Sequence, residues 1–113
     1  MRVLVCGGRD FCDGSKFVSA MRSLRLKPED TIIHGDAPGA DWMANSWARE
    51  YDIGVRAFPA DWKRHGKAAG PMRNKQMLDE GMPDLVVAFP GGRGTADMVR
   101  QARAAGVRVI EIN

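Results

Sequence analysis

Hydrophobic positions along the chain gather into five short runs, with longer stretches of a different period between them. Arg2–Cys6 (RVLVC), Thr31–His34 (TIIH), Val55–Phe58, Leu85–Phe89 (LVVAF) and Val107–Ile112 are rich in β-branched residues and lack strict alternation. Such runs predict strands buried on both faces. The first ends in Gly7-Gly8, the second in Gly35-Asp36, the third at Pro59 and the fourth in Pro90-Gly91-Gly92. Between them the period becomes helical. Phe17, Met21 and Leu24 are spaced i, i+4, i+7, and Met43, Trp47 and Tyr51 are spaced i, i+4, i+8. A third helix is predicted over Met72–Met77, opening behind Pro71. A fourth is predicted behind Thr95 as its N-cap, with Met98, Ala102 and Ala105 as its apolar stripe and Gly106 just past its end. Strands alternating with helices predict an α/β fold. With right-handed crossovers this becomes one Rossmann-like three-layer domain over residues 1–113, built on a mostly parallel five-stranded sheet.

Composition narrows the class. The chain has 113 residues, 44% hydrophobic and 27% charged, which suits a globular domain and excludes a disordered one. The longest apolar run, Leu85–Phe89, is far shorter than the ~20 residues of a spanning helix. The N-terminal run is too short for a signal peptide, so a cytoplasmic protein without membrane contact is expected. Seventeen basic against fourteen acidic residues give a net charge of +3. The two signs are mixed along the chain, so the charge favours anionic ligands only weakly. Cys6 and Cys12 lack zinc spacing, and no structural metal or disulfide is expected. Cys6 should behave as a small hydrophobe.

In open parallel sheets, ligands bind outside the carboxyl ends of the strands. Glycines, arginines and aspartates collect at that edge. Gly91, Gly92 and Gly94 allow close backbone approach, and the helix behind them aims free amides at the loop, with the Thr95 hydroxyl beside them. That arrangement suits a phosphate. Gly7-Gly8-Arg9-Asp10 is a second glycine loop; it is not the dinucleotide fingerprint, but Arg9 could grip a phosphate. Asp36 or Asp41 could bind ribose hydroxyls; helix capping by Asp36 and dipole complementation by Asp41 account for them equally simply. His34 reads best as a structural histidine. Trp62 could stack on a base or pack over the sheet edge. The basic run Lys63, Arg64, His65, Lys67 adjoins the same rim, where Arg73 and Asn74 are polar at the start of a helix. Trp42 and Trp47 face different directions, so one should be core and the other exposed.

The strings VLVCGGRDF, HGDAPGADWMANSWA, ADWKRHGKAAGPMRN and PGGRGTADM resemble the YspA-like, cpYpsA-related branch of the SLOG superfamily, named for the DNA-processing protein DprA and the LOG enzymes. The resemblance implies a Rossmann-like fold with a nucleotide-related ligand at the glycine loops. LOG enzymes, which release bases from nucleoside monophosphates, carry PGGxGTxxE with a catalytic glutamate. Here Met98 stands at that position and Asp97 precedes it. Arg73-Asn74-Lys75 is closer to the Arg-Asn-Arg of DprA-like proteins.

The sequence therefore predicts a module that senses or sequesters a nucleotide-derived small molecule. Its ligand residues would be Gly7, Gly8, Arg9, Asp36, Asp41, Trp62, Arg73, Asn74, Gly91, Gly92, Gly94 and Thr95. The alternative is a nucleotide N-glycosidase, with Asp36, Asp41 or Asp10 as the catalytic carboxylate. A weaker alternative is single-stranded nucleic-acid binding through Lys63, Arg64, Lys67 and Arg73. No cofactor is required on this reading, although Asp10, Asp36 and Asp41 could hold Mg²⁺ together with a phosphate. A homodimer is compatible with an exposed tryptophan on the second helix.

Overall fold

The computed structural model describes residues 1–113. Its five strands are β1 (Arg2–Cys6), β2 (Thr31–His34), β3 (Gly54–Ala57), β4 (Leu85–Ala88) and β5 (Arg108–Glu111). All pair in parallel, in the order β3-β2-β1-β4-β5. The sheet is therefore wholly parallel. β3 lies one residue earlier than the apolar run suggested, because pairing Thr31 with Gly54 and His34 with Ala57 sets its limits. β5 is trimmed at both ends to the residues that face Leu85–Ala88.

Five helices flank the sheet: α1 (Gly14–Leu24), α2 (Ala40–Glu50), α3 (Trp62–His65), α4 (Ala69–Gln76) and α5 (Arg93–Ala104). Val3, Val5 and Ile32 on one face pack with Phe17 and Met21 of α1 and with Ala40, Ala44 and Ala48 of α2. Leu4, Ile33 and Val86 on the other face pack with Met77, Met98 and Ala102. Alternate residues of β1 thus enter opposite cores, which explains a strand with no polar face.

The stripe of α2 that meets the sheet differs from the expected one. The three alanines are fully buried, while Met43 and Trp47 sit on the flank. Small side chains let the helix axis approach the sheet. Trp47 instead packs edge-on against Phe17, with centroids 6.1 Å apart, and lies 4.5 Å from the Tyr51 ring. Trp42 is the exposed one of the pair, at 66%.

The segment after β3, expected as a loop, holds α3. Asp61 caps it by accepting from the Arg64 amide at 3.2 Å, and Gly66 turns the chain at φ 55°. α4 begins at Ala69, so Pro71 is its third residue, where the missing N–H costs no helical bond. A wide π-type turn, Met77–Gly81, follows and leads into β4. α5 begins at Arg93 with Gly92 at the N-cap; Thr95 is its third residue rather than its cap.

Candidate functional site

The strand order reverses between β1 and β4, and the loops that follow these strands meet there. The Gly8 amide donates to the Pro90 carbonyl at 2.9 Å, and the Gly8 carbonyl accepts from the Ala40 amide at 3.3 Å. Three loops are thereby joined backbone to backbone. Four glycines make this possible. A β-carbon on Gly7 would lie 2.6 Å from the Ala40 Cβ, and one on Gly91 would lie 2.6 Å from the Gly8 nitrogen and collide with the Thr95 hydroxyl. One on Gly8 would stand 3.0 Å from the Pro90 oxygen. Gly39, at φ 79°, has the Gly8 and Arg9 carbonyls in that space. Gly92 and Gly94 differ, because a β-carbon on either meets nothing within 4 Å. They lie on the open side of the turn. Ala96 makes the first helical bond of α5, to Gly92, so the Arg93, Gly94 and Thr95 amides have no helical acceptor.

Asp41 is 6% exposed. Its Oδ2 accepts from the amides of Gly35 (3.1 Å) and Ala37 (3.3 Å), so the carboxylate shapes the loop after β2. Burial raises its pKa, opposed by His34, Arg73 and the two amides. Asp36, one of the two residues expected at the start of α2, is exposed and lies at φ 55°. Its amide donates to His34 Nδ1 at 2.9 Å, which makes Nδ1 the acceptor and Nε2 the donor to Asn45 Oδ1, also at 2.9 Å. His34 is thus a fully satisfied buried ring. Asp10 is exposed.

Arg73 reaches from α4 across the end of β2. Its Nη1 donates to the Gly35 carbonyl at 2.5 Å and its Nε to Asn74 Oδ1 at 3.0 Å. A side chain on residue 35 would overlap this guanidinium, within 2.7 Å of Cζ. Nη2 has no protein partner, and since no buried side-chain nitrogen or oxygen goes unsatisfied, it faces solvent. Burial lowers the Arg73 pKa; Asp41 opposes this and the nearby Arg9 adds to it. Arg73 forms no ion pair with Asp41. Burial also pushes the Cys6 thiol, beneath the same rim, up to about 12.

Asn74, expected at the ligand, is 3% exposed. Its Nδ2 donates to the Gly94 carbonyl (3.1 Å) and to Asp97 Oδ2 (3.0 Å). Asp97 also accepts from Gln101 at 2.7 Å and pairs with Arg100. Sequence reasoning placed Asp97 only by its angle from residue 98 and did not find this cluster, because Arg100 and Gln101 beside it on α5 read as a solvated polar face. Met98 is fully buried among Leu4, Val86 and Ala88, so position 98 contributes no group to the rim. Trp62 is 49% exposed and lies over Gly70, where a β-carbon would stand 3.2 Å from its ring. Lys63, Arg64 and Lys67 are exposed nearby.

The structure therefore brings Gly7, Gly8, Asp41, Arg73, Gly91 and Thr95 together at the switch point, with Arg9 close to Arg73. Asp10 and Asp36 remain at the surface, and no three His, Cys, Asp or Glu side chains converge as a metal site. A cavity of about 210 Å³ borders the Gly91–Gly92 turn on its β5 side; Thr95, Val99, Glu111 and Ile112 help line it, and neither Arg9 nor Arg73 does. No helix is long and apolar enough to cross a membrane.

Comparison with known proteins agrees with the motif resemblance. The model of the YspA, cpYpsA-related SLOG family matches residues 1–65. The Gene 61 protein of Mycobacterium phage D29 is 37% identical over 118 aligned residues, which cover 96% of this chain and 94% of the phage protein.

Proposed function

The chain belongs to the YspA, cpYpsA-related SLOG family, and from that premise we propose that it binds a nucleotide or nucleotide-derived anion at the β1/β4 switch point, as a sensing or sequestering module. The observation that carries this reading is the Arg73 guanidinium, half buried beside a second arginine, with Nη2 unpartnered. An open guanidinium donor without an ion-pairing carboxylate, with the positive charge of the exposed Arg9 acting on it, favours an anion there. A phosphate against the Gly92–Thr95 turn would accept from the free α5 amides and from Arg73 and Arg9. Gly92 and Gly94, which nothing in the fold requires to be small, leave room for its approach. On this reading the exposed Asp36 would take ribose hydroxyls and the half-exposed Trp62 ring would stack on the base. A Mg²⁺ ion arriving with the ligand would take its oxygens from phosphate and water, since no carboxylate set is assembled.

One observation favours a second reading, N-glycosidic cleavage. Asp41 is a buried carboxylate with a raised pKa beside an arginine, a setting suited to acid–base work. Both its hydrogen-bond donors are loop amides, however, so the binding reading comes first.

Native mass spectrometry of the protein with AMP and with ADP-ribose tests both. An intact 1:1 complex in the wild type, lost in Arg73→Ala, is the expected result. Accumulation of free base and ribose phosphate would replace the module with an enzyme. No complex at either ligand would overturn the phosphate site.

A further inference from the structure

A chain of hydrogen bonds, part-buried at Arg73 and buried between Asn74 and Asp97, connects the two anion-binding elements of the proposed site. It runs from the Gly35 carbonyl to Arg73 Nη1, from Arg73 Nε to Asn74 Oδ1, and from Asn74 Nδ2 to both the Gly94 carbonyl and Asp97 Oδ2. Gln101 continues it, donating to Asp97 Oδ2 and to the Pro71 carbonyl at 3.1 Å. Arg73 belongs to α4 and Gly94 to the first turn of α5, so one amide group, that of Asn74, fixes the first relative to the second.

We infer that Asn74 and Asp97 are positioning residues: they set the separation between the Arg73 guanidinium and the α5 amides, and so fix the geometry in which one phosphate can use both. This rests on the proposed phosphate site. The physical case is that the Asn74 amide and the Asp97 carboxylate have no freedom left. Asn74 and Asp97 are buried; Asn74 Oδ1 is taken by Arg73 of its own helix and Nδ2 by Gly94 and Asp97 of α5. Buried side chains whose polar atoms are all satisfied hold one geometry. A long arginine without such a partner samples many rotamers, and ordering it would then weigh against binding. Neither Asn74 nor Asp97 has a free polar atom to offer a ligand, so their effect on binding would pass through Arg73 and Gly94.

Two readouts on the folded chain test this. The first needs no nucleotide: the Arg73 Nε–H resonance, assigned by its loss in Arg73→Lys, is followed by hydrogen exchange in Asn74→Ala and Asp97→Ala. Exchange at least about tenfold faster in both is expected, since the bond to Asn74 Oδ1 is removed directly in one and loosened in the other. The second is calorimetric titration with AMP. Asp97→Ala is expected to weaken binding about tenfold, the scale seen when orienting partners of a binding group are removed. The loss should vanish in an Arg73→Ala background, because Asp97 acts through Arg73. An unchanged Nε–H signal in Asp97→Ala, or affinity losses that simply add, would overturn the positioning role. Failure of the wild type to bind AMP would overturn the nucleotide reading instead, and the exchange data would still decide the positioning of Arg73. Should Asp97→Ala not fold, Asp97→Asn, which keeps one acceptor oxygen, is read for the same two changes.

Discussion

Glycines of one loop should separate into two classes when replaced by alanine. A β-carbon on residue 91 would lie 2.6 Å from the Gly8 nitrogen and 3.0 Å from the Gly7 carbonyl carbon. Both are backbone atoms, and the Gly8 amide is held by its bond to Pro90. Neither strand end can withdraw without breaking the ladder beside it. Overpacking of this kind costs about 1–3 kcal/mol. Residue 94 is the second residue of α5 and its β-carbon would meet nothing within 4 Å. Alanine there gains helix propensity, about 0.5 kcal/mol allowing for its place in the first turn. An unfolding entropy of about 2.1 cal/mol/K per residue over 113 residues makes each kcal/mol worth about 4 °C in Tm. Gly91→Ala is therefore expected to melt about 4–12 °C below the wild type, and Gly94→Ala about 2 °C above it, by scanning calorimetry. On the proposed function, Gly94→Ala should nevertheless lose affinity for AMP, because its methyl group occupies the approach to the turn. Equal melting temperatures for the two variants would refute the packing argument. A Gly94→Ala protein that binds AMP normally would refute the use of this space by the ligand.

Replacing Trp62 with alanine should leave stability nearly unchanged, since the ring is half exposed, but reduce AMP affinity about tenfold or more if a base stacks on it, as fluorescence quenching or calorimetry would show. Asp41 has a native pKa above its unfolded value of 3.8, so the folded state binds its proton more tightly. Its ionisation therefore destabilises the fold progressively as pH rises from 3.8 through the raised native value. Urea unfolding across that range should show Asp41→Asn gaining on the wild type as pH rises; a pH-independent difference would contradict the burial of this carboxylate. Asn45→Ala removes the acceptor of the buried His34 Nε2–H and is expected to cost about 1–3 kcal/mol in the same assay.

Much of the frame follows from local pattern. Five apolar runs without alternation implied strands covered on both sides, and each run expected to be a strand is one. Gly7, Gly35 and Gly91 marked where strands give way to the rim. The limits of elements were less legible where a neighbour decides them. β3 begins at Gly54 because Thr31 of β2 pairs with it, and a glycine alone carries no strand signal. α3 hid in a polar stretch because four residues cannot show a period, and its cap, Asp61, is seen only in the structure. The α2 face was misjudged because the stripe of large residues competes with a stripe of alanines at the same spacing; the closeness of the sheet chose the small ones.

Residue types at the rim were likewise visible as a list, but their duties were not. Burial and hydrogen-bond partners are set by residues far apart in the chain. Asp41 turned inward because the amides of Gly35 and Ala37 converge on it, while Asp36, five residues earlier, was left in solvent. Asn74 went to the interior because Gly94 and Asp97, 20 and 23 residues on, supply acceptors there. The sequence alone determined the layered α/β frame and the family, since periodicity and glycine loops are local properties. Tertiary structure alone decided that Arg73 keeps one open donor while Asp41, the carboxylate that acts on it, is engaged by loop amides, because that balance depends on which distant backbone groups the fold brings within hydrogen-bonding reach.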